Sequence, residues 1–371
     1  MIVEQAGPLP VLRRRAMGNS FCLVVNPAAA RGRSRRHLPV ILGALAPAGA
    51  SIRVSETTSL GHATELAAEA AGRGETVVAV GGDGLVGTLA AAVSGAGGLL
   101  GIIPAGRGND FAHMLGIPAR PRDAAGALLT GEQRAVDLIG VRAGDGPEQV
   151  VAGSVYLGVP SEGGELANRS RWAAGPVGYQ VAGVRALLAW QPATFTVDPG
   201  PGGGPHSGPG FAVVIANCGY LAAGRKAAPG ADLSDGLLDV LIVGHGRKLS
   251  FVRVMLRAGP GTHVELAQVS VFQAATVTVT ADRAMPAAAD GETLACAAPL
   301  SAGQPLHVRV LPGALRVIAP AQPDGAARSG QSAERTWWPW RPPPRKDSTK
   351  AGLADSSAGV PTIRTSPPPS T

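Results

Sequence analysis

Four short segments carry side chains whose types and spacing could do chemistry. The first is Gly81-Gly82-Asp83-Gly84, which follows the apolar run Val77-Val78-Ala79-Val80. A strand that runs into a glycine-rich turn and then a helix lets backbone N–H groups come close to a phosphate. The helix N-terminus adds a favourable dipole. Phosphate loops usually avoid acid, so Asp83 has another job. It could reach Mg2+ through water, orient a nucleotide, or cap the following helix. The second segment, Pro104-Ala105-Gly106-Arg107-Gly108-Asn109-Asp110-Phe111, repeats the pattern after Leu100 to Ile103. One N-cap needs only one polar side chain, so the Asn109-Asp110 pair leans towards function. The third is Asp290-Gly291-Glu292, an ordinary hairpin turn by composition. The fourth, Asp232 to Asp239, offers acids and carbonyls for a hard cation, and a solvated turn explains it equally well.

The elements that must position these segments fall into two patterns. Strands are expected at Phe21 to Val25, Ile52 to Ser55, Thr76 to Val80 and Leu99 to Ile103. They alternate with helices at His37 to Leu45, His62 to Ala71 and Val86 to Val93. That alternation predicts a parallel sheet with helices on both faces, and two glycine-rich loops at neighbouring strand ends would then face one crevice. After about Asp137 the apolar runs shorten: Val150 to Leu157, Phe195 to Val197, Phe211 to Asn217, Leu238 to Val243, Val269 to Phe272, Ala275 to Thr280 and Leu306 to Val310. Helical spacing appears at Trp172 to Trp190 and Phe251 to Arg257. This half reads as a β-sandwich or antiparallel layer. The expected divisions are a basic extension over 1–19, an α/β nucleotide-binding domain over 20–135, a β-sandwich substrate domain over 136–320 whose last strands could return to the first domain, and a disordered Pro/Ser-rich tail over 321–371.

Composition narrows the classes. The 371 residues carry a formal net charge of +7, which suits polyanions such as nucleotides or acidic membrane surfaces. Much of that charge sits near Arg13-Arg14-Arg15 and between Arg335 and Lys350, where solvated basic tails are the simpler reading. Three widely separated cysteines, Cys22, Cys218 and Cys296, give neither a disulfide framework nor a zinc pattern and fit a reducing compartment. The start has no long apolar core and is not a secretory signal. The uncharged stretch from Gly84 to Gly106 is broken by Gly95, Gly97, Gly98, Gly101 and Pro104, so it does not read as a membrane span. Trp337, Trp338 and Trp340 lie in the basic tail, whose removal at a point between Ile318 and Gln322 is expected to be tolerated.

Taken in order, the segments resemble the bacterial diacylglycerol kinase family, whose catalytic domain is shared with sphingosine and ceramide kinases. The matching residues are Asn26-Pro27, Glu56-Thr57-Thr58 with Gly61-His62-Ala63, Gly81 to Gly84, Pro104 to Ala112, Asp137, Ala216-Asn217, Asp235 to Asp239 and Asp290-Gly291-Glu292. The resemblance implies a nucleotide cleft between an α/β domain and a β-sandwich domain, with ATP and Mg2+ as cofactors. It implies ATP contacts at Asn26, Thr57, Gly81, Gly82, Asp83, Gly84, Arg107, Asn109 and Asp110, and a Mg2+ and nucleotide network of Asp83, Asp110 and Asp137. It also implies a structural Mg2+ site at Asp232, Asp235 and Leu237, and Glu292 as the base that takes the lipid hydroxyl proton. Partners would be ATP and a lipid at the inner membrane surface, reached peripherally from the cytoplasm. No nucleic acid and no transmembrane segment are expected; a homodimer is left open.

Two positions depart from the family pattern. Leu85, Val86, Gly87 and Thr88 stand where a Thr and an Asn-Glu pair are usual, and Arg107 stands where Thr is common. Arg107 is read as a phosphate ligand, since a guanidinium can bind phosphate oxygens in pairs; pointing to solvent or obstructing the site are the alternatives. An NAD kinase would share the Gly-Gly-Asp-Gly turn but would carry the Asn-Glu pair and lack Asn109-Asp110-Phe111. A degenerate binding module without turnover would have no need of both Asp83 and Glu292.

Overall fold

The computed structural model describes residues 20–27, 32–169, 176–201, 203–222, 224–297 and 299–321. The expected extension over 1–19, the tail beyond 321 and the first part of the expected Trp172 to Trp190 helix lie outside them.

The first half alternates as the apolar runs require. Its elements are β1 (Ser20–Val25), α1 (Arg33–Leu45), β2 (Ser51–Glu56), α2 (Leu60–Gly72), β3 (Thr76–Gly81), α3 (Asp83–Gly95), β4 (Leu99–Pro104), α4 (Asp110–Met114) and α5 (Pro121–Thr130). The four strands are parallel in the order β4-β3-β1-β2. β1, β3 and β4 are almost wholly apolar and buried, as strands covered on both faces must be, whereas the edge strand β2 mixes exposed with partly buried residues. Helix α1 packs with α5, and α2 with α3. The chain runs outward from β1 to β2 and then back to β3 on the other side. The crevice between the carboxyl ends of β1 and β3 is therefore the switch point at which open α/β sheets bind ligands.

The second half is mainly strand: β5 (Glu132–Ala143), β6 (Gln149–Val151), β7 (Ser154–Gly158), α6 (Val159–Arg169), α7 (Pro176–Ala189), β8 (Ala193–Asp198), β9 (His206–Ala216), β10 (Tyr220–Leu221), β11 (Arg225–Lys226), β12 (Leu238–Gly244), α8 (Lys248–Arg257), β13 (Val269–Ala274), β14 (Thr276–Ala281), β15 (Ala287–Ala289), β16 (Glu292–Thr293) and β17 (Leu306–Ala319). Hydrogen bonding is continuous along β16-β15-β7-β9-β8-β14-β17-β4-β3-β1-β2, with β12 and β5 branching from it. The expected single run Val150 to Leu157 is two strands, broken at Ala152 and Gly153. Helix α6 was not expected from the sequence.

Strands β5 and β17 join the halves. They pair antiparallel over nearly their whole length, and the last residues of β17 also pair in parallel with β4. A register shift between Leu311 and Leu315, containing Pro312 and the positive-φ Gly313, bends β17 from one layer to the other. Two hydrophobic cores result. Val136 and Leu138 of β5 and Leu315 and Val317 of β17 enter the α/β core. Ile139 and Val141 of β5 and Leu306 and Val308 of β17 enter the other. The expected division between residues 135 and 136 falls inside β5.

This arrangement limits where the chain can be cut. Ala319 is fully buried and pairs with Glu132, and the Pro320 carbonyl accepts a hydrogen bond from Arg134. Ending the chain after Ala321 is expected to leave the thermal midpoint unchanged. Ending it at Ile318 is expected to lower that midpoint, because a buried strand end is lost. Thermal unfolding of the two truncations checks this, and equal midpoints would contradict it.

Candidate active site

Four of the expected nucleotide segments lie at the carboxyl ends of the parallel strands. Asn26 follows β1, Thr57 follows β2, Gly81 to Gly84 end β3 and open α3, and Arg107 to Asp110 follow β4. The two glycine-rich loops touch. A Cβ placed on Gly106 would lie 2.4 Å from Gly82 Cα, so no larger residue fits there without moving backbone. Asn109 closes its own loop rather than capping α4. Its Oδ1 accepts from Gly106 N–H (2.8 Å), and its backbone adopts the left-handed region at φ 54°. The Asn109 N–H then donates to Asp83 Oδ2 (2.7 Å), which ties the second loop to the first.

Asp83 is thereby half engaged. It sits in the first turn of α3, where its charge complements the helix dipole. Its Oδ1 is buried with no hydrogen-bond partner. A buried carboxylate oxygen without a donor is costly, and water or a cation in the crevice would satisfy it. The opposite charge is supplied by α1, whose first turn holds Arg33, Arg35 and Arg36 and no acid. Arg33 donates to the Gly106 carbonyl at 3.5 Å, and Arg35 forms a two-pronged ion pair with Glu56. The sequence reading missed Arg33; the signal was the arginine cluster Arg31, Arg33, Arg35 and Arg36 a few residues after the strand β1. Thr57 is buried, and its hydroxyl donates to the Ser59 carbonyl. It shapes the loop that starts α2 rather than pointing its hydroxyl at a ligand.

The residues at positions 85–88, where a Thr and an Asn-Glu pair are usual, turn mostly inward. Leu85 and Val86 are buried in the α/β core, with the Leu85 side chain packed over Gly81. Thr88 donates to the Gly84 carbonyl one turn back and is thus engaged within α3. Gly87 faces the second half: a Cβ there would lie 3.3 Å from Asp290 Oδ2.

Asp290 organises that contact. The turn residues Asp290 and Gly291 have φ of 49° and 93°, as a tight two-residue hairpin between β15 and β16 requires. The Asp290 carboxylate turns inward and accepts from the N–H groups of Ala152 (3.1 Å), Gly153 (3.0 Å) and Ser154 (2.8 Å). Asn217 takes the carbonyl of Ala152 through its side chain and that of Gly153 through its backbone N–H. This double clamp is why the run from Val150 to Leu157 breaks. Burial pushes the Asp290 carboxyl up to about 6 against the pull of its three N–H donors, with the Asp83 charge adding to the rise. Glu292, next along, is exposed and has no hydrogen-bond or ion-pair partner among the described residues. Partial burial of its carboxyl raises its pKa.

The remaining acids are engaged in structure. Asp110 Oδ1 accepts from Gly224 N–H at 2.6 Å. Asp137 is buried, and its two oxygens accept from Gly236 N–H (2.8 Å) and from Gly313 N–H (2.7 Å) in the bend of β17. It therefore holds the 232–239 loop and the bend together. In that loop Asp232 Oδ1 accepts from the backbone and hydroxyl of Ser234, and Asp235 Oδ1 accepts from Leu237 N–H (2.9 Å). Burial raises the pKa of Asp235, with Asp232 and Asp137 adding to the rise. Among the described residues no group of three or more His, Cys, Asp or Glu is placed to hold a metal ion directly.

Comparison with known proteins accounts for both halves. Residues 20–141 match the diacylglycerol kinase catalytic domain, and residues 153–319 match the YegS C-terminal NAD kinase beta sandwich-like domain. A diacylglycerol kinase of Mycobacterium tuberculosis is 30% identical over 321 residues, covering 83% of this chain and 97% of that protein. One of Bacillus subtilis is 27% identical, covering 73% and 88%. The crystal structure of a diacylglycerol kinase from Bacillus anthracis superposes with a TM-score of 0.62 at 18% identity, covering 82% of this chain and 98% of that one; at that identity it speaks for the fold alone. With two glycine-rich loops locked together at the strand ends, and a carboxylate hairpin from the β-rich half resting on the helix between them, the chain belongs to the diacylglycerol kinase family of lipid kinases.

Proposed function

We propose that the chain transfers the γ-phosphoryl group of ATP to the hydroxyl of a lipid such as diacylglycerol or a sphingoid lipid, with Mg2+, as a peripheral protein at the inner face of the membrane. The observation that carries this reading is the close contact of Gly82 with Gly106 at the strand ends, beside a buried Asp83 Oδ1 that has no hydrogen-bond partner. Phosphoryl transfer needs positioned phosphates and charge compensation more than covalent chemistry. Backbone N–H groups at Gly82 to Gly84 and the dipole of α3 suit phosphate oxygens. Asn26, Thr57, Arg107, Asn109 and Asp110 line or shape the same strand ends. Asp83 fits Mg2+ through water, since one oxygen is unpartnered and no three-acid cage is formed; the ion would offset phosphate charge. Asp137, bonded to backbone at both oxygens, acts on this site through the loop it anchors. The lipid oxygen attacks the γ-phosphorus, the bond to the ADP oxygen breaks, and Glu292 accepts the hydroxyl proton.

The test is labelled ATP offered with a panel of detergent-dispersed lipid alcohols, on the wild type and Asp83→Ala. Label should appear in lipid with the wild type. The variant should bind Mg-ATP more weakly or turn over more slowly while staying folded. An Asp83→Ala protein that melts earlier but keeps its activity would make Asp83 a cap. Retained ATP binding with no labelled lipid would leave a binding module.

Arg107 is exposed between two glycines and makes no hydrogen bond or ion pair among the described residues, so it can swing towards a phosphate. Hydrogen bonds to charged groups are worth about 1.5–3 kcal/mol, so Arg107→Ala should weaken Mg-ATP by roughly 10- to 150-fold, with Arg107→Thr between. Calorimetric titration reads this. Unchanged affinity would mean that Arg107 faces solvent, and tighter binding that it obstructs.

A further inference from the structure

Helices α7 and α8 each carry two apolar faces, and the fold uses only one of each. α7 buries Ala182, Ala186 and Leu187, and α8 buries Phe251 and Val254. On their outer sides α7 exposes Val181, Val184 and Leu188, and α8 exposes Leu249, Val252 and Leu256. Both sets follow the same i, i+3, i+7 spacing, a straight stripe along a helix. Leu188, Leu249 and Leu256 are 65%, 78% and 74% exposed, and these two helices hold six of the nine exposed large apolar side chains among the described residues. The end of α7 and the start of α8 approach each other: Lys248 at the start of α8 donates to the carbonyl of Leu188 near the end of α7.

The charge around them has one sign. Neither helix contains an acid, while Arg185, Arg247, Lys248 and Arg253 are exposed beside the stripes and Arg257 is partly so. Apolar side chains rimmed by Lys and Arg on a helix lying flat are the chemistry of a membrane interface. The leucines enter the acyl boundary, and the cations meet anionic headgroups. A second copy of this chain is a poorer occupant, because pairing the face with itself would bring like charges together.

We propose that the α7–α8 face docks this chain on an anionic lipid bilayer, a reading that rests on the lipid acceptor argued above. The position suits the chemistry. Helix α6 packs against both α7 and β16, the strand that begins with Glu292. Docking through α7 and α8 would thus place the Glu292 hairpin one helix away from the lipid surface.

Vesicle flotation of the full chain tests this without nucleotide, using phosphatidylcholine alone and phosphatidylcholine mixed with phosphatidylglycerol. The wild type should bind the mixed vesicles and not the neutral ones. Leu249→Gln with Leu256→Gln should lower partitioning about tenfold or more, since both leucines lose apolar insertion. Arg247→Gln with Arg253→Gln should lower it by a similar factor, an effect that high salt reproduces in the wild type. Val40→Gln, an exposed apolar position on α1, serves as the control and should change nothing. Turnover on a short-chain, water-soluble acceptor should survive both double substitutions, while turnover on vesicle-borne lipid falls. The proposal is overturned if the wild type ignores anionic vesicles or if both double variants bind them normally. It is also overturned if sedimentation shows that the leucine variant splits a dimer while vesicle binding persists. Vesicle binding without lipid phosphorylation would sink the kinase reading instead, leaving the surface intact.

Discussion

Glu292→Gln is expected to cut lipid phosphorylation by about 100- to 10,000-fold, the usual cost of losing a positioned general base, with Mg-ATP binding unchanged. The argument rests on what surrounds the side chain. Glu292 starts β16 immediately after a two-residue turn whose first member, Asp290, is fixed by three backbone N–H groups. Its backbone is therefore held firmly although its carboxylate is exposed and lacks a partner among the described residues. An acid that served only structure would be paired or fully solvated. This one is shielded enough that burial raises its pKa, which moves a carboxylate towards useful basicity. The hairpin also rests on α3, since Asp290 Oδ2 abuts Gly87, one turn from Asp83. A pH signature follows. Turnover in the wild type should fall as pH drops through the raised Glu292 pKa, and the residual activity of the Gln variant should lack that acid limb. Near-normal turnover of the variant with detergent-dispersed lipid would remove Glu292 from the role.

The first half was legible because three of its four strands are buried apolar runs that end in turn residues, Asn26-Pro27, Gly81-Gly82 and Pro104 with Gly106. Every expected element from β1 to β4 is present, with ends shifted by a few residues at most. The second half was harder for identifiable reasons. The break between β6 and β7 is made by Asp290 and Asn217, 136 and 65 positions away from their partners at Ser154 and Ala152, and no local pattern carries that. Helix α6 contains Pro160, Gly163 and Gly164, poor helix formers. It persists because Gly163 lets α7 approach closely: a Cβ there would lie 3.1 Å from Gly183 Cα. The site was legible by motif, while the local partners of its side chains were not. Leu85 departs from the family pattern and is a core residue. Asp137, expected in the Mg2+ and nucleotide network, has both carboxylate oxygens bonded to backbone. Asp290 reads as a turn residue and is the buried anchor of the break between β6 and β7.

That anchor should dominate stability. Asp290→Ala would leave the N–H groups of Ala152, Gly153 and Ser154 without acceptors in a buried place. An unsatisfied buried donor costs about 1–3 kcal/mol each, and partial hydration of the space left behind offsets some of it, so a net loss of about 3 kcal/mol or more is expected. Denaturant unfolding reads this directly. Asp290→Asn separates the charge from the hydrogen bonds, because one oxygen can still accept while the amide group meets N–H donors head-on. Its pH dependence has a defined sign. The folded pKa of about 6 lies above the ordinary Asp value of 3.8, so the folded state holds the proton more tightly than the unfolded chain. The associated stability is fully present below pH 3.8 and is lost as pH rises through about 6, a change of about 3 kcal/mol at 1.36 kcal/mol per unit. Asn cannot ionise and lacks this loss, so the gap between wild type and Asp290→Asn should narrow from pH 4.5 to pH 7. A gap that widens over that range would mean that the three N–H donors outweigh burial and hold the carboxyl below its ordinary value. Asp290 would then act as a permanently charged clasp rather than as one strained by its own burial.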